Sequence, residues 1–93
     1  MKYIVVFNES ASSAAPDPKP VYEYIESFKH WAKLNQTTYV IVSDLKPSTI
    51  RDNVLALTNH HGEIYVVGME DKYAVFGPDF LTEIFDYVWR NLS

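Results

Sequence analysis

At 93 residues the chain is one domain long, and a chain of this size buries roughly 60–68% of its unfolded surface. Its 47% hydrophobic and 15% aromatic content suits a globular core rather than a disordered tail, and the absence of cysteine excludes disulfides and thiolate metal sites. The net charge is −4 and the eight basic residues are scattered without a run, which argues against nucleic acid as a partner.

The only early apolar run, Ile4 to Phe7, is too short for a signal peptide. No stretch reaches the roughly 18 apolar residues of a membrane span, so the expectation is a cytoplasmic protein with no membrane partner. Lys2 to Phe7 is nearly all Val, Ile and aromatic, the composition of a central strand. Residues 8 to 20, "NESASSAAPDPKP", hold three of the five prolines and no large apolar side chain, which predicts a long, flexible loop. Val21, Tyr24, Ile25, Phe28, Trp31 and Ala32 then recur at helical spacing and predict one helix. "HWAKLNQ", at its end, reads equally as a last turn or as a short strand.

"TTYVIVSD", 37 to 44, is β-branched and aromatic before it turns polar, the pattern of a strand. Pro47 suits a first helical turn, Ile50, Val54 and Leu57 give that helix an apolar stripe, and Gly62 follows its end. A strand is expected over Glu63 to Met69, a tight turn at "MEDKY", and a further strand over Lys72 to Phe76. Gly77-Pro78 introduces a final helix, residues 79 to 92.

Sorting the strands by odd and even position gives one set with Ile4, Val6, Val40, Val42, Ile64, Val66, Ala74 and Phe76. The other set gathers Tyr3, Tyr39, Tyr65 and Tyr73 with Val5, Phe7, Ile41, Val67 and Val75. The aliphatic set is the one expected beneath helices. The tyrosine set has three candidate covers: stacked single-stranded bases, a protein interface, or the last helix. On that helix Phe80, Leu81, Ile84, Phe85, Tyr87, Val88, Trp89 and Leu92 spread over roughly 200°, about twice what packing on one side needs. A homodimer is therefore expected, with an interface drawn from Tyr3, Tyr39, Tyr65, Tyr73, Phe85, Val88, Trp89 and Leu92.

"TTYVIVSDLKPSTIRDNVLAL" followed by "GEIYVVGM" resembles the small bacterial and phage proteins grouped as SinR-like or Cas2-like. The likeness runs from residue 37 to 76, with a fainter echo in the first strand. It implies a ferredoxin-like α+β domain: a four-stranded antiparallel sheet with two helices on one face, to which this chain adds a C-terminal helix over 78–92. It also implies a homodimer and a short extra strand near "WAKLN". Some Cas2 proteins are described as metal-dependent nucleases with an Asp at the end of the first strand. Here that place is held by Asn8, with Glu9 beside it. An amide is a weaker, uncharged ligand for a hard cation such as Mg²⁺. The reading that results is a non-enzymatic protein-binding or regulatory module with no metal or cofactor. The alternative is a metal-dependent endoribonuclease that uses Glu9, Asp44 or a water held by Asn8. An inhibitor encoded by a phage or mobile element would share the first reading's physics and differ only in its partner.

Other polar stretches carry less. "NHHG", 59 to 62, has no second ligand at helical spacing and suits a helix C-terminus, where partial positive charge is favoured. Ser10, Ser12 and Ser13 have no nucleophile elbow around them. Glu83 and Asp86 lend the last helix a negative face that a basic protein partner could meet.

Overall fold

The structure, a computed structural model, describes residues 1–69. Six elements follow in order: β1 (Lys2–Asn8), α1 (Lys19–Ile25), β2 (His30–Lys33), β3 (Thr38–Val42), α2 (Pro47–Thr58) and β4 (Glu63–Met69). The strands form one sheet in the order β2-β3-β1-β4, antiparallel at every junction. β1 and β2 therefore run the same way with β3 between them, and β3 and β4 run the same way with β1 between them. Each helix is the crossover of one such pair, which makes the described fold α+β. The strand expected over 72–76 and the helix expected over 78–92 lie outside the described residues.

β1 is the central strand its composition predicts, flanked by β3 on one side and β4 on the other. Its register sets the faces of the whole sheet. Val5 lies opposite Tyr39 and Val66, and Phe7 lies opposite Ile64. Residues directly opposed across strands share a face. Tyr3, Val5, Phe7, Tyr39 and Ile41 accordingly pack with Val21 and Ile25 of α1 and Ile50 and Val54 of α2, while Ile64 and Val66 close the edge of this core.

This corrects the sorting by sequence parity in two ways. The tyrosine-bearing side of β1 and β3 is the side beneath the helices, and β4 enters out of step, so Tyr65 and Val67 fall on the opposite face beside Val6 and Ile4. The cause is register: odd and even positions keep their meaning along one strand but not from one strand to the next. The tyrosines are tolerated inside because their hydroxyls have partners. Tyr3 donates to the Leu45 carbonyl at 2.8 Å and Tyr39 donates to Glu26 Oε2 at 2.7 Å. On the second face, Ala32 and Val40 are buried with Ile4, Leu34, Val42 and Met69 around them.

α1 is shorter than its apolar stripe suggests. Pro18 and Pro20 are tolerated at its start because first-turn amides need no intrahelical acceptor. It stops at Ile25, where Ser27 Oγ donates to the Tyr24 carbonyl at 2.5 Å and the Glu26 N–H donates to that of Tyr22. Phe28 still packs edge-on against Tyr24, with ring centres 5.3 Å apart. Trp31 and Ala32, which continue the helical spacing, instead pair with Ile41 and Val40 in β2. Backbone pairing with β3 overrides the local periodicity there. The short extra strand near "WAKLN" is thus His30–Lys33.

α2 starts at Pro47 as expected and buries Ile50, Val54 and Thr58. Leu57, read as part of the stripe, is exposed, because Thr58 continues the i, i+4 row. The helix closes on Asn59 at φ 51° and His60 at φ 62°, both left-handed. Gly62 follows at φ 85°, where an added Cβ would stand 2.7 Å from the Asn8 carbonyl oxygen. That close approach lets β4 leave the helix directly into its pairing with β1.

Candidate functional site

At the end of β1 the chain alternates outward and inward as a strand must. Asn8 shares the second face with Ile4 and Val6, and Glu9 turns to the helix side, where its carboxylate accepts the Tyr22 hydroxyl. The loop beyond is knit by short-range bonds: Ser10 Oγ accepts the Ser12 N–H at 3.1 Å, and Ser12 Oγ accepts the Ala14 N–H at 3.2 Å. A shallow hollow of about 20 Å³, little more than room for one water, lies between Phe7, Ser10, Pro18 and His61. His61 Nδ1 sits 3.2 Å from the Thr58 carbonyl, to which it donates, so the ring is tied to the helix end.

These groups do not compose a site for the divalent cation that the resemblance implies. Asp44 follows β3, whose Val42 pairs with Lys2 at the start of β1, whereas Glu9 lies past the other end. Seven strand residues separate the two ends, a distance of about 23 Å at the rise of an extended chain. One ion cannot bridge Glu9 and Asp44. Among the described residues no three His, Asp or Glu side chains gather closely enough to hold a metal.

A different cluster does form, on the helix side of β2. Lys33 and Tyr39 are directly opposed across β2 and β3. The Lys33 ammonium lies 5.6 Å from the centre of the Tyr39 ring and 5.4 Å from that of Tyr22, within reach of a cation–π attraction to both. The two rings are held by their hydroxyls, Tyr22 to Glu9 and Tyr39 to Glu26. Trp31 adjoins Tyr39 at 6.1 Å between ring centres, and Phe7 meets Tyr22 edge-on at 5.9 Å. Burial, then the hydrogen bond to Glu9 and its charge, push the Tyr22 hydroxyl up to about 12. Tyr39 is pushed in the same direction, first by burial and then by Glu26. Both phenols therefore stay protonated and donating across the physiological range. Two π-faces around one point favour a positive charge there, and each ring carries a carboxylate at its hydroxyl.

Compared with family models, curated proteins and solved structures, the chain matches none. What the arrangement does must be read from its own residues.

The expected interface residues divide. Tyr3 and Tyr39 are 2% and 0% exposed, and the Tyr39 ring has the exposed side chains of Lys33 and Trp31 lying against it. Tyr65 is 50% exposed on the second face of β4, where its hydroxyl donates to Glu63 at 3.2 Å; that bond, and then the Glu63 charge, raise its pKa. Tyr73, Phe85, Val88, Trp89 and Leu92 lie outside the described residues. The Tyr22–Lys33–Tyr39 cluster gave no signal in sequence. Glu9 to Tyr22 and Glu26 to Tyr39 each span 13 positions, which matches neither helical nor strand spacing, and Lys33 reaches Tyr39 only through the β2–β3 register.

Proposed function

We propose that the chain is a non-enzymatic protein-binding or regulatory module with ferredoxin-like topology, working as a homodimer. The observation that carries this reading is the second face of β4. Tyr65 and Val67 are 50% and 55% exposed in one row, with Val6 and Ile4 of β1 as their cross-strand neighbours. Isolated exposed apolar residues are ordinary, but a continuous strip is the kind of surface that another protein covers. Tyrosine suits such a place because its ring can be buried while its hydroxyl stays wet.

The β2-β3-β1-β4 order with two split crossovers supports the ferredoxin-like assignment. The wide apolar arc read over residues 80–92 supports a second buried surface in the assembly. Asn8 at the strand end, with Glu9 turned away toward Tyr22, supports a binding rather than a nuclease role.

Light scattering tests the reading. The full chain is expected at twice its 10.7 kDa, and a Tyr65→Lys/Val67→Lys variant at 10.7 kDa with an unchanged circular dichroism spectrum. A wild-type monomer, or a variant that stays dimeric, overturns the assignment of this strip to the dimer.

A further inference from the structure

We propose that Tyr22 and Tyr39 form a cation cradle, filled by Lys33 in the free protein, that takes an alkylated ammonium group from outside when Lys33 swings away. The site is independent of the strip on β4, since it lies on the helix side of the sheet at the opposite edge.

Three features point to a ligand rather than to packing alone. An ammonium is already seated there, 5.4 and 5.6 Å from the two ring centres, so the cradle's preference for a cation is visible in its own occupant. The rings are fixed in advance, because each hydroxyl is spent on a carboxylate, Tyr22 on Glu9 and Tyr39 on Glu26. The occupant is the one loose part: Lys33 is an exposed side chain at the last residue of a four-residue edge strand, joined to the cradle only through flexible methylenes.

The class of ligand follows from hydration. A primary ammonium is compact and strongly hydrated, so Lys33 gives up much of its attraction to the rings in holding its water. A methylated ammonium keeps the charge, sheds most of that water and offers apolar surface to the aromatic faces. The Glu9 and Glu26 carboxylates at the two hydroxyls add negative charge beside the rings and none that would repel a cation. A quaternary ammonium of a small molecule and the side chain of a trimethylated lysine share this chemistry.

The test is a ¹H–¹⁵N NMR titration of the full chain with choline chloride, against sodium chloride at equal ionic strength. Saturable shifts are expected at Tyr22, Lys33, Tyr39 and the Trp31 indole. A Lys33→Ala variant should bind choline at least about fivefold more tightly than wild type, because it removes the competing cation. A Lys33→Arg variant should bind more weakly than Lys33→Ala, and Tyr22→Leu should lose saturable binding. A parallel titration with a short peptide carrying trimethyllysine separates the sources: tighter binding of the peptide assigns the cradle to a protein ligand, and equal or weaker binding assigns it to a small molecule. Absence of saturable shifts in Lys33→Ala, equal affinity in Lys33→Ala and Lys33→Arg, or the same shifts with sodium chloride overturns the proposal. The β4 variants used for the dimer should bind choline as wild type does, so either idea can fail alone.

Discussion

Gly62 carries a demand that no other residue type meets well. Its φ of 85° is left-handed, and a Cβ would press on the Asn8 carbonyl, which belongs to backbone already committed to the sheet. Gly62→Ala is therefore expected to cost about 2 kcal/mol in urea unfolding, more than the loss of a surface side chain. Tyr22 makes a second prediction at this scale. Its pKa rises from 10.0 to about 12 in the folded chain, so its protonated form is favoured by folding. The stability it contributes is complete below pH 10 and is lost as pH climbs from 10 through about 12. Unfolding midpoints across that window should fall less steeply in Tyr22→Phe than in wild type. A spectrophotometric titration near 295 nm should show the wild-type phenol ionising late. Asn8 was legible in sequence because strand position alone defines it, whereas the bond from Tyr22 to Glu9 depends on how the loop returns, which no spacing encodes.

At the scale of elements, α2 shows where periodicity is trustworthy. Pro47 marks its start, a left-handed Asn59 its end, and Ile50 and Val54 its buried row. Ile50→Ala should cost about 2–4 kcal/mol by opening a cavity under the helix, while Leu57→Ala on the outer side should stay within about 0.5 kcal/mol. Denaturant midpoints of the two variants check the contrast, and similar losses would mean that the helix is seated differently. α1 shows the limit of the same signal. Its stripe carries on through Trp31 and Ala32, but β3 offers those residues a partner strand, and a helix cannot supply that from local spacing. The division of the tyrosines has the same origin. Tyr3 and Tyr39 were recognisable as strand residues of one face, but which face the helices cover, and how β4 is phased, are decided between strands.

For the whole molecule, most strands and helices could be read in chain order from their patterns, while the α+β class came with the resemblance, which also decided for a strand in the ambiguous stretch "HWAKLNQ". The proposed assembly is argued at this scale too. A dimer resting on Tyr65 and Val67 buries apolar surface, so its dissociation should respond little to salt, and light scattering at low and high ionic strength checks this. The strand order has one more implication, for the order in which the chain is made. β1 is synthesised first and ends in the middle of the sheet, yet one neighbour, β4, begins at Glu63. At bacterial or eukaryotic elongation rates of about 5–20 residues per second, β1 waits roughly 3–12 s for that neighbour. β3 arrives sooner, after a hairpin with β2 that closes over a short turn. Until translation passes Met69, "KYIVVFN" lacks the partner that covers one of its edges, and an apolar segment in that condition is open to wrong pairing.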